Sequence, residues 1–276
     1  MFDLAVAYRI YPGVSKTPAC FADDKYKLSE LCLHSFKRAL GGLRVKIWAI
    51  LDGCPPEYEA LFRDTFDGDD LEIVSRNKIG NSGTFSLQMD LLTEQDCASL
   101  VYLAEDDYFY LPNALEKIVA FMRNNPDADF VTPYDHPDSY YTPSRVERHI
   151  VRPSGDRHWR TASSTCLTFM GTRESLIRTQ SLFRSYSRGN VDCSMWLALT
   201  QRLELADIRV HWSNRLRLKI WALTWWWGWR RLFGRRYRLW SPMPTLATHM
   251  EASCLSPLID WQSLFVEAQH ANPSNE

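Results

Sequence analysis

The stretch VYLAEDDYFYLPNAL, residues 101–115, places three consecutive carboxylates directly after a short apolar run. The run 101–104 predicts the end of a buried strand. Glu105, Asp106 and Asp107 then lie at the carboxyl end of a core strand, where adjacent like charges repel one another. A hard divalent cation such as Mg²⁺ or Mn²⁺ would relieve this repulsion, and solvated loop acids are the alternative. The stretch therefore predicts a metal-binding edge of a sheet.

Strand and helix patterns alternate through the first half of the chain. Short β-rich runs are separated by segments whose apolar residues share one helical face. This alternation is typical of an α/β layer with a mainly parallel sheet, whose ligands bind beyond the carboxyl ends of the strands. The predicted strands are 3–8, 44–53, 71–75, 99–107 and 128–135, and the predicted helices are 28–40, 55–62 and 112–122.

The second half of the chain is less regular, and it contains no internal repeat. Residues 160–172 predict one long strand, and residues 259–269 predict an amphipathic helix. Residues 189–203 predict a helix with Asn190 as its N-cap. In the first half, Pro112 is expected in the first turn of the helix that follows the acidic stretch.

Composition narrows the class of protein. The 276 residues are 45% hydrophobic and carry a net charge of −1, which disfavours a general nucleic-acid-binding protein. The seven cysteines are widely spaced without a C-x-x-C pair, so neither a disulfide framework nor a structural zinc site is expected. No signal-peptide pattern or apolar stretch of spanning length is present. These features predict a cytoplasmic protein with reduced thiols.

The chain resembles the GT-A-fold nucleotide-sugar glycosyltransferases, and within them the large inverting bacterial family (family 2-like). The resemblance rests on the strand and helix alternation, the acid run AEDD near position 105 and the helix opening L-P-x-A-L. It covers most of residues 1–260 and implies a Rossmann-like GT-A sheet flanked by helices. It also implies a nucleoside-diphosphate-sugar donor and Mn²⁺ or Mg²⁺. Asp107 matches the metal-binding Asp of the family motif, while Glu105 and Asp106 fall among the donor-binding positions, with Glu105 replacing the usual first Asp.

Three further segments match the family pattern. Asp52 stands where the family reads the nucleobase, and a turn-capping role is the alternative. The loop NKIGNSGTFSLQ, residues 77–88, matches the loop beneath the nucleotide and supplies Asn77, Lys78 and Asn81 as donor-binding residues. Its glycines are equally compatible with plain turns. His249 matches a late histidine that completes the metal shell in family members, although a lone histidine is usually structural.

The resemblance also implies a catalytic base at the start of a helix. In GNVDCSMW, residues 189–196, Asp192 matches this position, where the helix dipole would keep the carboxylate ionised. An ordinary first-turn acid is the alternative. Glu251 and Asp135 are the next candidates for the base.

Residues 214–240 form a basic, tryptophan-rich segment. They hold six of the eleven tryptophans and eight Arg or Lys residues with no acid. The pattern predicts an amphipathic helix lying in the headgroup region of an anionic membrane. Packing on the enzyme or a homo-oligomer interface is the alternative, and single-stranded nucleic acid is a weaker one. The predicted apolar face consists of Leu218, Trp221, Ala222, Trp225, Trp229 and Leu232.

These interpretations together predict a metal-dependent glycosyltransferase that modifies a glycan or a lipid-linked acceptor in bacterial cell-surface polysaccharide synthesis. The expected division is a catalytic core over 1–212, a membrane-associating segment over 213–240 and a segment over 241–276 that returns His249 to the site. The protein would then act at the inner face of the cell membrane. The alternatives are a sugar nucleotidyltransferase and an inactive, membrane-bound interaction protein of the same fold.

Overall fold

A nine-stranded sheet flanked by helices forms the centre of the protein in a computed structural model that describes residues 1–14, 17–66, 68–141, 149–202 and 215–270. The strands are β1 Leu4–Ile10, β2 Val45–Asp52, β3 Leu71–Arg76, β4 Leu100–Glu105, β5 Tyr108–Tyr110, β6 Phe130–Val131, β7 Val151–Ser154, β8 Arg157–Ala162, β9 Phe169–Thr172, β10 Leu239–Met243 and β11 Ala247–His249. The helices are α1 Lys25–Ala39, α2 Pro56–Thr65, α3 Gly80–Glu94, α4 Ala114–Asn124, α5 Asp138–Tyr141, α6 Arg173–Phe183, α7 Asp192–Thr200, α8 Arg215–Leu232 and α9 Trp261–His270.

The strand order of the large sheet is β3-β2-β1-β4-β9-β6-β10-β8-β7. Strands β1 to β4 pair in parallel, whereas β9 and β8 run against their neighbours. The predicted α/β fold with a mainly parallel central sheet is therefore confirmed. The chain winds outward from β1 to β3 and then crosses back to β4, so the strand order reverses between β1 and β4. Such a reversal opens a crevice at the carboxyl ends of the strands.

Strand β1 shows how the sequence builds the layers of the core. All seven of its residues are buried, and successive side chains point to opposite faces. Leu4, Val6 and Tyr8 join the cluster that contains α1, α2 and α4 side chains. Ala5 and Ala7 join the cluster on the other face, beneath α3, α6 and α7. The small alanines allow the helices on that face to lie close to the sheet.

The C-terminal part of the chain returns to the core twice. Strand β10 lies between β6 and β8 in the large sheet, so position 240, the predicted segment boundary, falls inside a core strand. Strand β11 then pairs with β5 in a separate two-stranded sheet. Local sequence patterns did not predict β5, β10 or β11.

Several local predictions were wrong. Residues 80–88 of the predicted loop 77–88 form the first part of α3, and only Phe130–Val131 of the predicted strand 128–135 is a strand. Residues 160–172 form two strands, because the intervening residues turn toward α7, where Thr200 and Trp196 donate hydrogen bonds to the carbonyls of Ser163 and Cys166. The residue before α7 is Val191, because Asn190 instead accepts a hydrogen bond from the backbone of Val191. Helix α4 begins after Pro112. The preceding Leu111 and Asn113 donate backbone hydrogen bonds to Leu246 and Arg38.

Helix α8 confirms the predicted helix. The face that it exposes to solvent, however, is rotated around the helix axis relative to the predicted apolar face. A Cβ on Gly228 would lie 2.4 Å from Cβ of Ala198, so this side of α8 packs against α7. Trp221 and Trp225 are consequently half-buried, whereas Trp226 is exposed. Residues 213–214 lie outside the described residues. None of the described helices has the length and apolar character needed to span a bilayer.

Candidate active site

A cleft of about 450 Å³ opens at the carboxyl ends of β1, β2 and β4. It lies where the strand order reverses, which is the expected ligand position in an open α/β sheet. The acidic stretch after β4 contributes all three of its carboxylates to the lining. Other lining residues are Arg9, Lys25, Asp52, Asn81 and His249.

The pairing of β11 with β5 brings His249 to the acidic stretch. His249 lies opposite Tyr108 in this ladder, and their rings meet edge to face with centroids 5.1 Å apart. The backbone N–H of Met250 donates to the carbonyl of Asp107 over 2.8 Å. As a result, Nε2 of His249 lies 3.3 Å from Oδ2 of Asp107. The two predicted metal ligands are therefore neighbours, although 142 positions separate them in the sequence, from 107 to 249.

Asp107 carries a strongly favoured negative charge, and one of its carboxylate oxygens lacks a hydrogen-bond partner in the described residues. Burial alone would raise the pKa of its carboxyl, but the His249 imidazole, with Lys25 and Arg9, lowers this pKa to about 2. Its Oδ1 atom is buried, and within the described part of the chain no group donates a hydrogen bond to it. A buried carboxylate oxygen without a partner is costly, so a cationic or hydrogen-bonding ligand in the cleft would stabilise it.

A metal ion could bind to the carboxylate of Asp107 more directly than to the imidazole of His249. Carboxylate oxygens suit Mg²⁺ and Mn²⁺, and Oδ1 of Asp107 has a coordination position to offer. The backbone N–H of Glu251 points at Nδ1 of His249 over 3.1 Å, so the neutral ring carries its proton on Nε2, toward Asp107. Coordination through Nε2 would require this proton to move to Nδ1 and the hydrogen bond from Glu251 to break. In the described residues, no group of three or more His, Cys, Asp or Glu side chains is arranged to hold a metal.

Glu105 is held by neighbouring side chains. Arg9 lies directly across from it in the β1–β4 ladder and forms an ion pair with its Oε1. Its Oε2 accepts a hydrogen bond from Thr168 over 2.8 Å. Arg9 also donates to Oδ1 of Asn81 over 2.5 Å, and Asn81 donates to the Tyr186 hydroxyl over 3.1 Å. Glu105 thus organises the floor of the cleft, and its predicted donor contact stays a prediction.

Asp106 lies against the start of α1. Its Oδ2 is 2.8 Å from Nζ of Lys25 and accepts longer hydrogen bonds from the Tyr11 backbone and the Ser29 hydroxyl. Lys25 was not among the predicted site residues. A signal for it exists, because a lysine at the first position of a helix opposes the helix dipole and needs a compensating anion. Together with Arg9, it supplies the positive charge of the cleft.

Asp52 anchors the beginning of α3. Its two carboxylate oxygens accept hydrogen bonds from the backbone N–H groups of Ile79 and Gly80, at 2.7 and 2.8 Å. Gly80 has a φ of +76°, a conformation that favours glycine. Asp52 therefore has the turn-capping role and also lines the cleft, while its base-reading role stays a prediction. Of the predicted loop residues, Asn81 lines the cleft and Asn77 and Lys78 lie outside its lining.

Asp192 is the first residue of α7, so its predicted place in the first helical turn is confirmed. It does not line the cleft. Its charge, together with that of Glu105, contributes to raising the pKa values of Cys166 and Tyr186, whose largest cause is burial. Asp192 therefore lies near enough to Cys166 and Tyr186 for its charge to act on both.

The two reserve candidates for a base have different surroundings. Glu251 lines the cleft and follows His249 by two positions. Asp135 is buried in an ion pair with Arg160, 2.5 Å away, and also accepts a hydrogen bond from Tyr140. A carboxylate already committed to an arginine is a poor proton acceptor. The structure therefore favours Glu251 over Asp135 as the reserve candidate.

Comparison with known proteins gives structural similarity only. No family model matches the chain, and no curated protein matches it. The mannosyltransferase PcManGT from Pyrobaculum calidifontis, in complex with GDP-Man and Mn²⁺, is 12% identical with a TM-score of 0.37, over 51% of this chain and 38% of that protein. S. aureus TarS in complex with UDP-GlcNAc is 11% identical with a TM-score of 0.41, over 64% and 47%.

A third similar structure is a putative nucleotide-diphospho-sugar transferase from Desulfovibrio desulfuricans G20. It is 13% identical with a TM-score of 0.43, over 81% of this chain and 94% of that protein. The chain spans less than half the length of PcManGT and TarS. At TM-scores below 0.5 these similarities do not decide what this chain does, so its function has to follow from the geometry of the cleft.

Proposed function

We propose that the protein is a glycosyltransferase that moves a sugar from a nucleoside-diphosphate sugar to a hydroxyl group of an acceptor. The observation that carries this proposal is Asp107, whose buried Oδ1 has no partner in the described residues and which lies beside His249 in the cleft at the β1–β4 crossover. A phosphate-bearing ligand with a counter-cation would compensate this oxygen. The same cleft contains Arg9 and Lys25, whose charges complement a diphosphate.

The diphosphate would lie near Asp107, and the nucleoside would extend toward α3. Asp52 and Asn81 line that side of the cleft, at the start of α3. A bound Mn²⁺ or Mg²⁺ would supply charge neutralisation for the diphosphate as it leaves. Asp107 would hold this ion, and His249 would join it after the proton shift described above.

We assign the role of base to Asp192. The acceptor oxygen forms a bond to the anomeric carbon, the bond from that carbon to the diphosphate oxygen breaks, and the nucleoside diphosphate leaves with the electron pair. The acceptor proton passes to the Asp192 carboxylate. Support comes from the place of Asp192 at the start of α7, near Tyr186, whose hydroxyl accepts a hydrogen bond from the cleft residue Asn81. If the acceptor attacks on the side opposite the leaving group, as we propose, the transfer inverts the anomeric carbon.

The acceptor we propose is a glycan or a lipid-linked glycan, in the assembly of bacterial cell-surface polysaccharide at the inner face of the membrane. Support comes from the basic, aromatic α8, which packs against α7 and so lies close to the helix that begins at Asp192. The identity of the sugar follows from neither the sequence nor the cleft.

A nucleotidyltransferase is the second candidate. That activity needs a Gly-rich phosphate loop with a basic residue after the first strand, and the segment after β1 contributes Tyr11, Gly13 and Val14 to the cleft. Residues 15–16 of this segment lie outside the described residues. An inactive interaction protein is a third candidate, but it would have no reason to maintain an uncompensated carboxylate oxygen in a cleft.

The proposal is tested by incubating the protein with a panel of nucleoside-diphosphate sugars, including GDP-mannose and UDP-N-acetylglucosamine, in Mn²⁺ or in EDTA. We expect release of a nucleoside diphosphate from at least one donor, with Mn²⁺ restoring the activity that EDTA removes. A parallel incubation with nucleoside triphosphates and sugar phosphates reports pyrophosphate release. Pyrophosphate release without nucleoside diphosphate release would replace the glycosyltransferase with the nucleotidyltransferase. Full activity in EDTA would refute the metal assignment.

A further inference from the structure

An apolar stripe is exposed along one side of α8. Leu218, Ala222, Trp226, Trp229 and Phe233 follow one another at intervals of four, four, three and four positions, which places them on one face of the helix and its immediate continuation. Trp226 is 76% exposed, Phe233 80% and Trp229 51%. Large aromatic side chains gain much from burial, so a contiguous stripe of them in water indicates a binding surface.

The opposite side of α8 fixes this stripe in place. Gly228 lies directly against Ala198 of α7, and Thr224 is almost fully buried. Trp227 packs on the core cluster beneath α7, and the Arg188 guanidinium covers its ring at 4.8 Å. Turning the stripe toward the core would break these contacts. The helix therefore holds the exposed aromatic residues outward on a rigid support.

The charges around the stripe have one sign. Lys219 and Arg230 flank it on the exposed side, and the Arg230 guanidinium lies 5.2 Å from the centre of the Trp229 ring. Beyond the helix, Arg236 is also exposed, and the exposed Arg235 is paired with Asp129. From position 208 to position 250 the sequence contains no Asp or Glu. The surface therefore complements an anionic partner.

We propose that this stripe docks the protein on the surface of an anionic lipid bilayer, with α8 lying in the plane of the headgroups. Trp226, Trp229 and Phe233 insert between headgroups, and Lys219 and Arg230 bind anionic phosphates. The helix needs no spanning length for this mode of binding. The proposal stands on exposure and charge alone and does not depend on the glycosyltransferase reaction.

Charge also distinguishes a bilayer from a second copy of the chain. A two-fold dimer through the stripe would bring each copy of Lys219 and Arg230 close to the same residues of its partner around a narrow apolar strip. Within the helix, no carboxylate is available to compensate this repulsion. An anionic bilayer both covers the aromatic side chains and pairs the cations.

Vesicle flotation tests the proposal directly. The full chain is mixed with vesicles of phosphatidylcholine alone, or of phosphatidylcholine with phosphatidylglycerol, at low and high salt. We expect binding to the phosphatidylglycerol vesicles at low salt, and weaker binding at high salt because screening shortens the reach of surface charges. Binding to phosphatidylcholine vesicles should be weaker by at least about tenfold, since each basic residue near an anionic surface contributes about 1 kcal/mol.

Two double variants separate the contribution of the aromatic side chains to vesicle binding from that of the basic side chains. Trp226→Ser with Phe233→Ser should lower the vesicle partition coefficient by at least about tenfold, because two exposed aromatic anchors are lost. Lys219→Gln with Arg230→Gln should lower it by roughly tenfold on anionic vesicles only. Val266→Ser on α9 removes a half-exposed apolar residue elsewhere and should change nothing. Circular dichroism confirms that each variant is folded, which is expected because every substituted side chain is solvent-exposed.

Three results would overturn the proposal. One is absence of binding to phosphatidylglycerol vesicles at low salt, and another is equal binding by the wild type and both double variants. The third is a dimer in sedimentation that dissociates with Trp226→Ser and Phe233→Ser while no vesicle binding is seen. That outcome would assign the stripe to self-association.

Discussion

The carboxylates at the end of β4 differ in function because they differ in neighbours. Glu105 is paired with Arg9 across the strand ladder, and Asp106 is paired with Lys25 at the start of α1. Asp107 faces His249 and keeps one buried oxygen without a partner in the described residues. The first two acids are committed to ion pairs within the protein, and the third is the one that the proposal assigns to ligand binding.

The pair of Arg9 and Glu105 gives a prediction about stability. Arg9→Met keeps most of the side-chain volume but leaves the Glu105 carboxylate partly buried without its cation. We expect the free energy of unfolding to fall by about 3–5 kcal/mol, the usual cost of breaking a buried ion pair. Urea denaturation measures it. The matched control is Arg63→Met, whose exposed pair with Glu59 should contribute less than about 1 kcal/mol. An equally small loss for Arg9→Met would show that the pair does not support the cleft.

The proposed base gives a prediction about turnover. Asp192→Asn keeps the shape of the side chain and removes its charge, so sugar transfer should slow by about 10²–10⁴. Affinity for the nucleoside diphosphate should stay within about threefold, because the base acts on the acceptor. Turnover and calorimetric binding measure the two effects. Glu174→Gln, another first-turn acid, is the control and should keep full activity. Near wild-type turnover in Asp192→Asn would leave Glu251 as the candidate base.

Residues of the site could be predicted from the sequence where a local pattern marked them. The run of acids after a core strand is visible in the sequence, and it marks Asp107 without any structure. Arg9 and Lys25 were missed because one charge in an apolar strand or at a helix start has many ordinary explanations. The roles of Arg9 and Lys25 depend on their ion-pair partners, Glu105 and Asp106, which lie 96 and 81 positions away in the sequence.

At the scale of secondary-structure elements, the site depends on the pairing of β5 with β11, two strands that are far apart in the sequence. Strands β5 and β11 have three residues each, too few to show a period in the sequence. Their pairing is decided by tertiary contacts, such as the hydrogen bond from Met250 to Asp107. Before position 125, strands β1 to β4 and helices α1, α2 and α4 were predictable from their local patterns, whereas α3 and β5 were not. Beyond that point helices α7, α8 and α9 were predictable, but the strand pairing depends on long-range contacts that no local pattern encodes.

The contact between α7 and α8 gives the prediction at this scale. A Cβ on Gly228 would already approach Cβ of Ala198 to 2.4 Å, so Gly228→Leu forces the two helices apart. We expect a loss of about 1–3 kcal/mol in the free energy of unfolding, as for other overpacked sites. Ala222→Leu, on the exposed side of the same helix, should stay within about 0.5 kcal/mol. Equal stability of the two variants in urea would show that α8 does not depend on this contact.

At the scale of the whole molecule, the two candidate binding surfaces are the cleft and the aromatic stripe of α8. The cleft lies at the carboxyl ends of the parallel strands, and the aromatic stripe lies on α8, which packs on α7. Helix α7 begins at Asp192, the proposed base, and packs on α8 through Ala198. In the two proposals together, α8 would hold a membrane-borne acceptor near Asp192, and the cleft would bind the donor.

The most direct test is calorimetric titration of the protein with nucleoside diphosphates, in Mn²⁺ and in EDTA. We predict that at least one nucleoside diphosphate binds in Mn²⁺ and that EDTA removes most of this affinity. Asp107→Asn should weaken binding in Mn²⁺ by roughly tenfold to a hundredfold, since a contact to a charged group contributes about 1.5–3 kcal/mol. Asp156→Asn, at an exposed acid, should bind like the wild type. Absence of binding by any nucleoside diphosphate to the folded wild type, or equal binding by Asp107→Asn, would contradict the assignment of this cleft.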